Sequence, residues 1–177
     1  MNLSPGPVQP HSGGFFTWHG YDPACKAELW STGFTAPQET VLFDPIDWPQ
    51  DSPLPKGLIQ IVQTNGNHDR DCRTLCTQKG AVFSNQPAGF TSIQLTGAGE
   101  GETAYFHNAS GTLVVGDALI NLAPHGLMFL PDKYCADPAM LRKNLRRLLD
   151  FPVQRIFFAH GDPILQSGQE RIQKLFA

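Results

Sequence analysis

The chain has 177 residues, enough to bury a substantial core as one domain. Its 41% hydrophobic and 16% charged residues are typical of a globular protein, and its net charge of −3 argues against general electrostatic binding to nucleic acid or anionic membranes. No apolar run reaches the roughly 18 to 20 residues of a membrane span, and the N-terminus lacks a signal-peptide pattern. We therefore expect a cytoplasmic protein that binds neither nucleic acid nor membranes and keeps its four cysteines reduced.

The first half of the chain is predicted to be rich in strands. Residues 1–14 contain three prolines and three glycines, which predicts an irregular or extended N-terminal segment before a single domain over residues 15–177. Aromatic-rich stretches, alternating patterns and continuous apolar runs predict the strands that follow. These strands cover residues 13–22, 26–34, Thr40–Phe43 and Leu58–Thr64.

The second half mixes strands with helices. A short helix over residues 72–79 should end at Gly80, and a clearer helix over Pro138–Leu149 begins after the N-cap residue Asp137. A final helix is predicted over Gln166–Phe176. Further strands are predicted over residues 81–85, 91–96, 102–107, 111–120 and 153–160.

Polar residues follow three of the predicted strands. They lie at Asn65–Asp71, at Gly116-Asp117 and at His160-Gly161-Asp162. In layered α/β folds, ligands bind outside the ends of buried strands. The three polar segments could therefore converge on one site.

The order of these motifs resembles the metallo-β-lactamase superfamily. In that superfamily a strand is followed by Thr-His-x-His-x-Asp-His, where this chain has TNGNHDR over Thr64–Arg70. Three motifs come next in that superfamily. The first is a Gly-rich stretch with a histidine, where this chain has TGAGEGETAYF. The others are a strand ending in Gly-Asp, here LVVGD, and a strand ending in His-Gly, here FFAHGDP. The resemblance covers roughly Phe15–Phe176. It implies an α+β fold, a four-layer αββα sandwich, with a bacterial-type, hydrolase-like site along one edge of its sheets.

The resemblance also implies that the first of two metal sites is lost. The three imidazole positions of that site correspond to Asn65, Asn67 and, in the best register, Ala98. Neutral amides are poor ligands for zinc. We therefore predict that no dinuclear centre forms.

The second site is only partly changed. Its positions correspond to Asp69, Arg70, Asp117 and His160. Asp69, Asp117 and His160 would suit one divalent ion such as zinc, iron or manganese. Arg70 offers an alternative, because its guanidinium could neutralise Asp69 and Asp117 without any metal. The expected cofactor is therefore none, or one divalent ion.

His68 and Arg70 are the candidate catalytic residues. His68 lies between former ligand positions and is either a structural histidine or a replacement ligand that has moved by one residue. Three functions stay open: a fold relative with an eroded site that is used for binding or for nothing, a single-metal hydrolase using Asp69, Asp117 and His160, and a metal-free enzyme. In the last, His68 or His160 would be the general base and Arg70 would bind an anion. A small-molecule ligand is possible, but the sequence indicates neither a substrate nor an oligomeric state.

Two further patterns carry weaker predictions. Cys72 and Cys76 share a helix face, which favours packing of two small hydrophobic side chains over a metal or redox pair. Four basic residues of the 138–149 helix favour a solvated face, with contact to a polyanion as the alternative: Arg142, Lys143, Arg146 and Arg147.

Overall fold

The computed structural model describes residues 3–177, so residues 1 and 2 of the predicted N-terminal segment lie outside the described part. The chain divides into two compact units. The first comprises Met1–Gln63 and His68–Pro87, and the second comprises Thr64–Asn67 and Ala88–Ala177. The single domain predicted over residues 15–177 stays a prediction.

The first unit is built on a six-stranded sheet. Its strands are β1 (Gln9–Pro10), β2 (Phe15–Asp22), β3 (Ala27–Thr35), β4 (Glu39–Phe43), β5 (Leu58–Val62) and β6 (Val82–Phe83), in that spatial order. β1 to β4 pair antiparallel, whereas β5 pairs in parallel with both β4 and β6. A short strand, β1, and a turn of 3₁₀ helix over Ser12–Gly14 therefore give the N-terminal segment more structure than its composition predicts.

One helix packs on this sheet. Helix α1 (Cys72–Lys79) ends at Gly80 as predicted, because Gly80 takes the left-handed conformation (φ 66°) and its N–H bonds to the carbonyl of Leu75. Leu75 and Cys72 of the helix share a buried core with Trp18, Leu42 and Ile61 of the sheet. The hydrophobic face of the short helix is thus covered within the unit.

The second unit has a four-stranded sheet and a hairpin. Its strands are β7 (Phe90–Gln94), β8 (Thr103–His107), β9 (Thr112–Val115), β10 (Leu119–Leu122), β11 (Gly126–Phe129) and β12 (Arg155–Phe158). The sheet order is β12-β9-β8-β7, and β10 and β11 form a separate two-stranded sheet. All four residues of β9 and of β12 are buried, as expected for strands written as continuous apolar runs.

Two helices cover one face of the four-stranded sheet. Helix α2 (Pro138–Leu145) starts at its predicted N-cap, where the Asp137 carboxylate accepts from the backbone N–H of Met140 at 2.9 Å. The predicted continuation to Leu149 is a 3₁₀ turn over Arg146–Asp150, a common way for a helix to tighten at its end. Helix α3 (Gly168–Lys174) is shorter than predicted. The two helices and the 3₁₀ turn share a core with the strands: Leu113, Val115, Leu141, Leu145, Leu148, Ile156 and Ile172.

Within residues 3–177, no helix is long and apolar enough to cross a membrane.

Candidate functional site

Asn65 is the centre of a buried polar network in the second unit. Its side-chain nitrogen Nδ2 donates to Glu102 Oε2 at 2.9 Å and to Asp117 Oδ2 at 3.1 Å. Its oxygen Oδ1 accepts from the backbone N–H of Asn67 at 2.9 Å. Since an amide carries two N–H donors and one carbonyl acceptor, these bonds fix the orientation of the group. The residue at the first predicted ligand position is therefore held by hydrogen bonds at both ends.

Glu102 is the site residue that sequence reasoning missed. It stands at the end of a Gly-rich stretch, where a charged residue is usually solvated, yet it is only 1% exposed. Besides Asn65 it receives the backbone N–H of Ala118 at 3.0 Å. Its only signal was its place as the first residue of the strand predicted over residues 102–107, which does not by itself predict a buried carboxylate.

Gly116 allows this network to close. A Cβ atom at this position would collide with Thr64 Oγ1 and lie 2.9 Å from Glu102 Oε1. A glycine therefore permits the end of β9 to approach the segment that carries Asn65. The backbone of that segment is held by bonds from Thr103 N to Thr64 O and from Gly66 N to Glu100 O, both 2.8 Å.

Asp117 and His160 lie together, as the two strand-end motifs predict. His160 Nε2 is 3.2 Å from Asp117 Oδ1, and the two side chains are 22% and 20% exposed. A carboxylate can only accept, so Nε2 is the protonated nitrogen when the two groups hydrogen-bond. Gly161 has a φ of 103° and no room for a Cβ atom against the backbone of Asn121, which explains the glycine after His160.

The other two positions that the resemblance assigns to a first metal site offer no imidazole and no charge. Asn67 is exposed and takes part in the network through its backbone N–H. Ala98 is buried in the loop between β7 and β8, and its carbonyl accepts from the N–H of Ala136. The residues present therefore do not fit a dinuclear centre, because Asn67 and Ala98 offer no ligand suited to zinc and the Asn65 amide donates to the carboxylates beside it.

His68 belongs to the first unit and is held by Asp44. The two side chains are 6% and 3% exposed, and His68 Nδ1 lies 2.8 Å from Asp44 Oδ2. Asp44 has a φ of 47°, a conformation that aspartate tolerates better than most residues. This carboxylate places the proton on Nδ1 and fixes the ring, the arrangement often found behind metal-ligating and catalytic histidines. Whether His68 has such a role stays a prediction.

Arg70 and Asp69 differ from the expected pair. The Arg70 guanidinium donates to two backbone carbonyls, Trp30 O at 2.7 Å and Asp44 O at 3.0 Å. Asp69 is about half exposed and bonds instead to Arg73, at 2.9 Å and one helical turn further on. Arg70 has a φ of 37°, so the backbone turns sharply between the two side chains. Both side chains thus have partners of their own, and the alternative in which Arg70 neutralises Asp69 and Asp117 stays a prediction.

Cys72 and Cys76 show the features of packed thiols. Burial raises the pKa of both, and for Cys72 the nearby Asp44 carboxylate adds to the increase. The Cys72 thiol donates to the carbonyl of His68 at 3.5 Å. Because metals and oxidants react with the thiolate, these protonated groups favour the packing interpretation.

Comparison with solved structures places this architecture among known folds. A metallo-β-lactamase from Pontibacter korlensis is 14% identical, with a TM-score of 0.71 over 98% of both chains. One from Hirschia baltica is 17% identical, with a TM-score of 0.67 over 96% of both chains. The DIM-1 metallo-β-lactamase is 11% identical, with a TM-score of 0.69 over 99% of this chain and 97% of that chain.

The chain has the metallo-β-lactamase fold. This confirms the predicted α+β class and the resemblance that the motifs indicate. No protein-family model and no curated protein sequence matches the chain. A metallo-β-lactamase fold can carry many chemistries, so the function must be argued from the residues at the site.

Proposed function

We propose that this is a hydrolase-like protein of the metallo-β-lactamase fold that assembles no dinuclear metal centre and uses the remaining site to bind a small molecule. The observation that carries the proposal is the pair of bonds from Asn65 Nδ2 to Glu102 and Asp117. A neutral amide thus takes the position between two carboxylates that a cation would otherwise occupy.

The hydrogen-bond inventory explains why a cation would compete poorly there. Asn65 would have to turn its oxygen toward the ion, and its NH₂ group would then face the N–H of Asn67, a donor against a donor. Glu102 is almost fully buried and would lose a bond to its charged oxygen, which is worth about 1.5 to 3 kcal/mol.

Asp117 and His160 fit a single ion better. They are partly exposed, and a carboxylate oxygen and an imidazole nitrogen are good ligands for zinc or manganese. A divalent ion bound at such residues supplies Lewis-acid activation of water. This pair is the observation that favours the second candidate function, a single-metal hydrolase. The third ligand that the sequence suggested for it, Asp69, is the least suited, because its exposed carboxylate is paired with Arg73.

Metal stoichiometry tests the proposal. The purified chain is loaded with zinc or manganese, and the bound metal is measured by elemental analysis. We expect at most one ion per chain, and we expect Asp117→Asn and His160→Gln to remove it. Asn67→Ala is the matched control and should not change the stoichiometry, because Asn67 contributes only its backbone N–H.

An activity assay separates the two candidate functions. β-Lactam hydrolysis is measured with zinc present, since the similar solved structures are metallo-β-lactamases. Two tightly held ions would refute the proposal. One ion accompanied by turnover that Asp117→Asn abolishes would establish the single-metal hydrolase instead.

A further inference from the structure

Basic residues of helix α2 and of the 3₁₀ turn that follows it border a groove in the second unit. Its volume is about 590 Å³, within the range of sites that hold small ligands. Phe129, Leu175 and Phe176 form a partly buried apolar floor. The Phe129 and Phe176 rings lie 5.1 Å apart, so the floor is a continuous aromatic surface.

Three cations stand on one side of this floor. Arg142, Lys143 and Arg146 are spaced at i, i+1 and i+4 and line the groove, with the Arg146 guanidinium 4.6 Å above the Phe176 ring. Arg142 is held by Asp132. Within residues 3–177, neither Lys143 nor Arg146 forms an ion pair, and no acidic side chain lines the groove, so its lining side chains are basic or apolar.

Arg147 lies beside Arg146 in the 3₁₀ turn but outside the groove. Its guanidinium donates to the carbonyl of Gln94 at 2.9 Å, and it does not line the groove. Of the four cations, three thus line the apolar groove, whereas Arg147 bonds to the sheet.

We propose that this groove binds a small amphiphilic anion, a carboxylate carried on an acyl chain. The apolar chain would cover the aromatic floor, and the carboxylate would meet Lys143 and Arg146. The cations favour an anionic ligand. The aromatic floor favours a ligand with an apolar chain over a simple inorganic ion. None of the residues that line the groove belongs to the site around Asn65. A test of this proposal is therefore independent of the test of the proposed function.

Decanoate is the test ligand, and its binding to the full chain is measured by NMR chemical-shift changes and by calorimetry. We expect saturable binding, with shifts confined to residues around Phe129, helix α2 and Phe176. Decanol lacks the charge and acetate lacks the chain, so each should bind at least about tenfold more weakly. The double variant Lys143→Gln/Arg146→Gln should weaken decanoate binding by about fivefold or more.

Arg147→Gln is the control, since it removes one positive charge from the same 3₁₀ turn as Arg146 but outside the groove. Its affinity for decanoate should equal that of the unmodified chain. The proposal would be overturned if decanol bound as tightly as decanoate, or if Arg147→Gln lost as much decanoate affinity as the double variant. Chemical-shift changes at residues away from the groove would also overturn it. Binding only to vesicles of anionic phospholipid, and not to free decanoate, would also overturn it.

Discussion

Asn65 gives the sharpest prediction at the scale of single residues. Asn65→Ala removes the donors shared by Glu102 and Asp117 and leaves their carboxylates facing each other. We expect the free energy of unfolding to fall by about 1.5 to 3 kcal/mol, the usual value of a hydrogen bond to a charged group. Urea denaturation measures this change. Asn67→Ala is the control and should cost much less, and equal costs would contradict the assigned role of the Asn65 side chain.

His107 gives a prediction about pH. Burial lowers the pKa of this imidazole, and the nearby Arg155 lowers it further. Between the lowered pKa and the ordinary value of about 6.5, the unfolded chain binds more protons than the folded one, so stability falls as the pH falls through that window. Thermal unfolding of the unmodified chain and of His107→Gln should show the difference. A His107→Gln curve that loses the same stability between pH 6.5 and pH 5 would contradict this explanation.

Some site residues could be predicted from the sequence because their motifs specify the backbone. Gly-Asp and His-Gly at the ends of buried strands brought Asp117 and His160 to 3.2 Å. Glu102 could not be predicted, because the burial of a carboxylate depends on donors that come from distant parts of the chain, Asn65 and Ala118. The hydrogen-bond partners of Arg70 could not be predicted either, since an arginine in a sequence does not indicate a positive φ.

At the scale of elements, the ends of the helices are where the sequence is most informative. Asp137 caps α2 through its side chain, whereas Ser167, at the start of α3, forms no side-chain cap. Asp137→Ala should therefore destabilise the protein by about 0.5 to 2 kcal/mol. Ser167→Ala is the control and should have little effect. The prediction would be wrong if both variants unfolded at the same urea concentration as the unmodified chain.

Element boundaries were harder to predict than element types. The apolar run that predicts β5 continues to Thr64, but the strand ends at Val62 because Thr64 already bonds to Thr103 in the second unit. Helix α2 changes to a 3₁₀ turn at Arg146, although the leucine spacing continues. For β5, a contact made elsewhere in the chain overrides the local pattern.

At the scale of the whole molecule, each unit has a hydrophobic core of its own. The segment Thr64–Asn67 nevertheless belongs to the second unit while both of its flanks belong to the first. Loss of either core would release this segment, so we expect the two units to unfold together. Trp18, Trp30 and Trp48 all lie in the first unit, and the amides of β8 and β9 report on the second.

Tryptophan fluorescence and NMR of those amides should then give one denaturation midpoint. Two separated midpoints would show that the units are independent and that the linking segment does not couple them.

The amide between two carboxylates also constrains how this sequence can have changed over time. Asn65→His alone would leave the buried Glu102 without its Asn65 donor, and Glu102→Ala alone would leave an Asn65 donor unsatisfied. Each substitution is therefore unfavourable without the other, and the two positions should change together among relatives. A histidine at the first position should accompany a small or neutral residue at the second, and an asparagine should accompany the glutamate. The pair thus disfavours the introduction of an imidazole at the first position by a single mutation.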